Sequence, residues 1–588
     1  MPSPHSLGGF RSHLTHIGHL SRAVGAPRTT AQLRDDSSFK QCANLCGGLL
    51  SVWHRACSKK RNDEMNIMRK RFLGSWHGTL APLLLIGCSE VNGPSPSGNA
   101  AIAPAGSLDR ASGAGLNANA SAGPVAPPGL GSLTVSPMSL SPHFDPVVHD
   151  YAIRCAAGAN TLSLAFTAAP GSTAALISPS TAPMSSSPVA VQLLPDQAAV
   201  IETTDGFDAS QEYWIRCLPP DFPTIIVTAY PRAGAPSAGW YLVADTLVPA
   251  GQSGFAMILD ALGTPVWYRR APVGVVDVDH YADNIVVFSP EMPPTGGQFE
   301  IDNLVTGQTQ FLGAVNAPTD HHEFQELHSG HRVLISVPVA PGIDLTGLAG
   351  YGTGTTVEDC LIQELDQTGA LVWQWKATDH IDPARETSPA FITDGQAVVD
   401  VFHCNAVDVD GIGNLIVSAR HLNSVFYVSR SDGHIMWKMG GSPYNKDGAR
   451  YIQIVNDPET AFYGQHDVRF EANGEISLFD DHTGMPGQAR GVVYSVDVNA
   501  GTAQFAWQYL GSVSSGAMGS FRRYPDGSSV IGWGLPGRDP GLVFTEVNAA
   551  GQPLLDLSFG GGQSSYRALK YPLSAFAPDL LRASAGLP

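Results

Sequence analysis

The chain has 588 residues, 43% of them hydrophobic and only 15% charged, with a formal net charge of −18. That length supports several domains with cores of their own. The acidic balance, with no basic concentration in the part that folds, argues against a nucleic-acid partner. Gly (63) and Pro (44) are plentiful, and 3.6-residue periodicity is hard to find past residue 130, which points to an all-β protein with many turns.

Residues 1–64 mix His, Arg, Cys and Ser without a steady period and do not read as a domain. They are expected to be a leader or to lie ahead of the true start, at Met65 or Met68. From Met68 comes MRKRFLGSWHGTLAPLLLIGCSE, with a positive Arg69-Lys70-Arg71 region and an apolar run, Leu80 to Ile86, too short to span a bilayer. Its end, Leu85-Ile86-Gly87-Cys88, resembles a bacterial lipobox. The resemblance implies a lipoprotein signal over residues 65–88, acylation of Cys88, and a chain exported to the periplasm or cell surface. It would be held to the membrane by its lipid anchor only, and Ser89 fits outer-membrane retention. The plainer alternative is a chance apolar run in an ordinary tail. Residues 89–129 are Gly, Ser, Ala, Asn and Pro with almost no large apolar side chains, and read as a flexible tether.

Residues 130–232 read as short strands separated by turn residues: SLTVSPMSLS, HDYAIRC, NTLSLAFTA, QEYWIRC and TIIVTAYPR. The pattern predicts a small β-sandwich, and LTVSPMSLSPHFDPVVHDYAI resembles the opening of bacterial cadherin-like modules. Cys155 and Cys217 sit in the two similar strands YAIRC and YWIRC. An oxidising compartment would permit a bond between them, and two buried thiols fit equally well.

From about Trp240 the chain repeats itself. One signature is an Asp, a turn Gly and a Trp: Asp260-Gly263-Trp267 and, with the same spacing, Asp366-Gly369-Trp373. Looser copies carry Gly307, Gly433, Gly501 and Gly551. A second signature precedes them, a strand, a turn and a very apolar strand, as in HHEFQELHSGHRVLISV and QHDVRFEANGEISLFDD. Together they make a four-stranded unit, and about six units fit in residues 240–588. Such units cannot bury their faces alone, so the prediction is a six-bladed β-propeller preceded by the small sandwich. Residues 339–358 and 377–398 are insertions, expected as loops on one face.

Innermost propeller strands begin at a central channel, and here those starts carry His321, His322, His403 and His466, with Arg420 ending the strand after His403. Imidazoles alone would suit a metal, HHE at 321–323 included. A guanidinium beside them favours an oxyanion instead, with a neutral imidazole free to act as nucleophile. No metal or cofactor is expected.

The block DVFHCNAVDVDGIGNLIVSARHLNSVFYVSRSDGHIMWKMGG (400–441), then QHDVRFEANGEISLFDDHTG (465–484), HHEFQELHSGHRVLISV (321–337) and SYRALKYPL (565–573), resembles the arylsulfate sulfotransferase family. The likeness covers roughly Trp240 onward and rests on an H-x-N strand, an S-x-R strand end, a W-x-x-G-G turn, Q-H-D and an F-D-[ND] strand. It implies a six-bladed propeller that moves a sulfuryl group from an aryl sulfate donor to a phenolic acceptor. The route would be ping-pong through sulfohistidine, without a nucleotide sulfate donor.

Carried over by position, the resemblance makes His466 the nucleophile and His403, Arg420 and His322 its catalytic partners, with His322 preferred to its neighbour His321. His321, Asn405, Tyr566 and Arg567 complete the expected substrate-binding set. Asp467 is adjacent to His466 on a strand and should point the other way. Phe402, Tyr463 and Tyr566 are candidates to stack on an aryl ring, and Cys404 reads as core. A homo-oligomer is left open. Two rival classes remain: a non-catalytic surface propeller and a metal- or quinone-dependent propeller enzyme.

Overall fold

The computed structural model describes residues 127–588 except 208, 250, 291–296, 349, 538–540 and 587–588. The expected leader, the signal with Cys88 and all but the end of the tether lie outside the described residues. No helix among the described residues is long and apolar enough to cross a membrane.

The first described elements are two facing sheets. One has Asn160–Ala168 between Leu130–Ser136 and Val189–Leu193. The other runs Asp150–Arg154, Ser210–Leu218, Ala198–Asp205, Ser172–Ser178. Asn160–Ala168 alternates buried and open positions, the period-2 signature of a strand with one face on a core. Leu133, Leu162, Leu164 and Phe166 meet Tyr151, Ile153, Ile201 and Ile215 there. Cys155 and Cys217 are joined by a disulfide within this core.

One strand assigned to this sandwich belongs elsewhere. Ile225–Ala229 pairs antiparallel with Pro553–Phe559, at Leu555↔Ala229 and Phe559↔Ile225. Its solvent-side pattern matches a sheet edge, and the outermost strand of the last propeller sheet offers the free edge it needs. The boundary at residue 232 is thereby corrected: the propeller begins to take chain at Ile225.

Among the described residues the rest is built on four-stranded antiparallel units: three stand as separate sheets, two are joined into a nine-stranded sheet by Arg450–Val455, which pairs in parallel on both sides, and the last is extended to five strands by Ile225–Ala229. In chain order their first strands are Val276–Ala282, Thr319–Glu326, Cys404–Val409, His466–Phe470 and Ser520–Arg523. In the remaining sheet, Trp240–Ala244, Gly254–Leu259 and Pro265–Ala271 are completed by the late strand Ala568–Tyr571, paired at Leu569↔Leu242. Those five strands pack side by side in sequence, and the remaining sheet closes the ring, Ala568–Tyr571 against Ser520–Arg523 and Trp240–Ala244 against Val276–Ala282. This is a β-propeller.

The Asp–Gly repeat has a local cause. Asp260 Oδ1 accepts from the N–H groups of Leu262 (2.9 Å) and Thr264 (2.8 Å), and Gly263 takes φ +77°. Asp366 does the same to Thr368 (2.8 Å) and Ala370 (3.0 Å), with Gly369 at φ +84°. Asp ties the turn and Gly supplies the left-handed residue that closes it. The copies at Gly307, Gly433, Gly501 and Gly551 occupy the corresponding outer hairpins.

The insertions wall one end of the ring. Val339–Ile343 and Thr355–Glu358 form a hairpin whose second strand pairs in parallel with Val399–Asp400. The second insertion contains two short helices, Ala377–His380 and Pro383–Glu386, and a turn at Pro389–Phe391.

Candidate active site

The innermost strands begin with broken ladders. Pairing shifts register between Val276 and Asp279, Thr319 and Phe324, Cys404 and Ala406, and His466 and Arg469. Asp277 (φ +52°), His403 (φ +50°) and Asp467 (φ +58°) are left-handed, a conformation that Asp, Asn and His adopt more readily than other non-glycine residues. Bulges of this kind re-aim side chains, and here they deliver two layers.

The lower layer is ionic. Arg567 reaches Asp277 (2.6 Å), Glu323 (3.1 Å) and Asp467 (3.3 Å), and all four are buried. Arg469 bridges Glu323 (2.8 Å) and Asp467 (3.0 Å). Against the push of burial, Arg522, Arg469 and Arg567 hold the Asp467 carboxyl down to about 2. Arg567, placed by sequence among the substrate-binding residues, is thus occupied by carboxylates beneath the site. Asp467 does point away from His466, into this layer. Asn405 Nδ2 donates to the carbonyl of Gln465 (2.8 Å), fixing the backbone next to His466.

The upper layer holds the imidazoles, and His466, His403 and His322 are each aimed by a carboxylate. His466 Nδ1 lies 2.7 Å from Asp481 Oδ2 and 3.1 Å from the Gly464 carbonyl. A carbonyl only accepts, so Nδ1 carries the proton and the lone pair is on Nε2. Burial, then Arg420, His322, His403 and Arg567, push the His466 pKa well below its ordinary value, and the ring is neutral. His403 Nδ1 pairs with Asp400 Oδ2 at 2.5 Å. Burial opposes the charged form, but Asp400 outweighs it and raises the His403 pKa. His322 Nδ1 pairs with Asp320 Oδ1 at 2.6 Å. Burial, then His322, push His321 down to about 3.

These rings are neighbours although they come from three sheets. His322 lies 5.0 Å from His403 and 4.1 Å from His321, centroid to centroid. Tyr566 meets His322 (5.5 Å), His321 (6.1 Å) and His466 (6.5 Å) edge-on, and its hydroxyl donates to the His322 and Asn405 carbonyls (3.4 and 3.3 Å). Arg420 donates to Gly516 O at 3.1 Å while its Nε is buried with no hydrogen-bond partner. That leaves guanidinium donors uncommitted beside the neutral His466 and a His403 whose pKa is raised.

Sequence reasoning missed several members. His421 stacks on His403 at 4.7 Å and on Phe391, from the second insertion, at 4.9 Å. Tyr463 stacks on Phe391 in turn (5.4 Å), and Arg420 lies over the same ring. Phe402, a candidate for aryl stacking, is instead fully packed in the core beneath. The D-x-H spacing of Asp320–His322 and the D-x-x-H spacing of Asp400–His403 were readable signals for two of the orienting carboxylates.

Cys404 lies in the core as expected, and the structure adds its partner. It forms a disulfide with Cys360, 44 positions away and also buried. The bond ties the end of the first insertion to the strand that follows His403. Replacing both cysteines by Ala is expected to lower the free energy of unfolding by about 3 kcal/mol, measured as a shift in the urea midpoint.

A cavity of about 380 Å³ opens beside His321, His322 and His403 and is bounded by Val339, Glu358, Val398 and Asp400. Two groups, Asp320–His321–His322 and Asp400–His403–His421, have potential ligand atoms within 4.8 Å of one another and have the composition to bind a divalent cation.

Fold and site together define a β-propeller whose channel mouth gathers cationic and neutral nitrogen groups suited to an oxyanion. Residues 303–560 match the model of the arylsulfotransferase (ASST) family, a span that takes in His321, His322, His403, Arg420, His466 and Asp481. No curated protein matches the chain. Similar solved structures include a protein of unknown function from Bacteroides caccae (12% identity, 57% of this chain and 99% of that one, TM-score 0.36). A second is a putative 6-phosphogluconolactonase from Bacteroides fragilis (11%, 57% and 98%, TM-score 0.34). A third is a quinonprotein alcohol dehydrogenase-like protein from Bacteroides thetaiotaomicron (9%, 74% and 98%, TM-score 0.31).

Proposed function

We propose that the protein transfers a sulfuryl group from an aryl sulfate ester to a phenolic acceptor, in two steps, through His466. The observation that carries this reading is the state of that residue. It is a buried, neutral imidazole with Nδ1 committed to Asp481 and Gly464, beside Arg420 and a His403 whose pKa Asp400 raises. The family match over residues 303–560 supports the chemistry.

In the first step, His466 Nε2 attacks sulfur as the S–O bond to the aryl group breaks. The transition state is loose, by analogy with phosphoryl transfer, so positioning and charge do most of the work. Arg420 and His403 hold the non-bridging oxygens. Sulfation turns His466 cationic, and Asp481 at 2.7 Å balances that charge. In the second step, a phenol oxygen attacks sulfur, the S–N bond breaks and neutral His466 returns. The first phenol leaves before the second binds, which gives ping-pong kinetics, and no nucleotide donor is needed. The Phe391–Tyr463 stack is a face on which the aryl ring can lie.

Incubation with 4-nitrophenyl sulfate in the absence of acceptor should leave a sulfated peptide containing His466, read by mass spectrometry of a rapid neutral digest. An unmodified His466 after stoichiometric release of 4-nitrophenol would sink the covalent route.

A metal-bound site is a second reading, favoured by the two Asp–His groups. Stoichiometric zinc, copper or iron in the purified protein would decide for it. For location, the lipobox-like run at Cys88 supports a lipid-anchored protein of the periplasm or cell surface, with the cadherin-like sandwich as a spacer. Globomycin-sensitive labelling with palmitate tests that.

A further inference from the structure

The sulfuryl-transfer reading uses the arginine of S-x-R and the histidine of Q-H-D. It gives no task to the serine of the first or the glutamine of the second. Ser418 and Gln465 are both wholly buried, and they touch. Gln465 Nε2 lies 3.1 Å from Ser418 Oγ, 3.2 Å from the Ala419 carbonyl and 3.0 Å from the Ser424 carbonyl. Carbonyls only accept, so the amide nitrogen faces them and donates. Ala419 and Ser424 are cross-strand partners, and the turn between them carries Arg420. The side chain immediately before His466 thus closes the base of the turn that presents the guanidinium.

A second arm reaches the same turn. Asn423 ends it at φ +50°, a left-handed conformation that Asn tolerates. Its N–H donates to the Arg420 carbonyl (3.0 Å), and its Oδ1 accepts from the Gly464 N–H (2.8 Å). Gly464 in turn offers its carbonyl to His466 Nδ1 (3.1 Å). Arg420 makes no ion pair among the described residues. Its guanidinium touches the Gly516 carbonyl, His421 Nε2 and the Phe391 ring, so its place depends on the backbone at its root. The arrangement also carries a cost. Gln465 Oε1 is buried with no hydrogen-bond partner among the described residues, and an unpaired buried acceptor is unfavourable. An apolar side chain of similar size would avoid that cost, so packing alone does not account for an amide here.

Resting on the sulfuryl-transfer reading, we propose that Gln465 and Asn423 are positioning residues that fix the Arg420 guanidinium relative to His466 Nε2, so that both meet one sulfuryl group. Neither touches the substrate. Each acts from the sheet of one reacting group on the backbone of the other. A displacement of about 1 Å between groups that must act together costs on the order of 100-fold in rate.

The test is a double-mutant cycle on transfer from 4-nitrophenyl sulfate to phenol, followed long enough for slow variants to register. Gln465→Met keeps the length of the side chain and removes its N–H donors. It should lower kcat by about 100-fold in the wild-type background. In an Arg420→Ala background it should lower kcat by less than about 3-fold, because the benefit of a placed guanidinium can be lost only once. Asn423→Gly keeps the left-handed turn, removes the acceptor and should show the same dependence on Arg420. It decides the matter if Gln465→Met does not fold. Equal losses in the two backgrounds would overturn the proposal, since a purely structural role does not depend on Arg420. Absence of transfer by the wild type would instead overturn the sulfuryl-transfer reading itself.

Discussion

His466→Asn is expected to lower transfer from 4-nitrophenyl sulfate to phenol by about 10,000-fold or more, the scale on which loss of a covalent nucleophile registers. The amide keeps a donor for Asp481 and roughly fills the ring's place, so the thermal midpoint and circular dichroism should stay those of the wild type. Labelled sulfate should no longer be retained on the protein. Activity within tenfold of wild type would remove His466 from the nucleophile's role and shift attention to His322, which faces the same Tyr566 ring.

The second large effect belongs to Asp481. Its carboxyl is buried, and it touches His466 at 2.7 Å. Burial pushes its pKa well above the ordinary carboxylate value, against a lowering by Arg420, so its ionised form depends on the cations around it. Asp481→Asn offers Nδ1 an amide that can donate as well as accept. That would favour the tautomer with the proton on Nε2, where no lone pair remains for sulfur. The expected result is a kcat about 1,000-fold lower, near what a mis-set tautomer costs a histidine base, with KM for the donor changed far less. Asp481→Ala, which cannot donate, should be less harmful than Asp481→Asn if tautomer is the cause. The opposite order would point to charge balance instead.

The repeat was legible because its chemistry is local. Asp260 and Asp366 cap turns within four residues of themselves, so spacing in sequence is spacing in space. The imidazoles were legible for a related reason: each starts an innermost strand, and the ring brings those starts together. The partners that set protonation were harder to read. Asp481 is 15 residues from His466 and reaches it only because the strand carrying His466 pairs with Glu475–Asp480, at His466↔Phe479. Glu358 ends an insertion with no counterpart in other repeats, and Cys360 follows it. Arg567 reads as a substrate group in sequence because nothing there shows three carboxylates converging on it from separate sheets.

The strand Ala568–Tyr571 completes the sheet begun at Trp240, and Tyr566 and Arg567 immediately precede it. A chain made amino end first therefore cannot bring these groups together until Ala568–Tyr571 has been synthesised. Nascent or prematurely cut polypeptides would carry all five imidazoles yet lack the arginine that gathers Asp277, Glu323 and Asp467. The molecule is timed by its own topology, silent until the ring is joined.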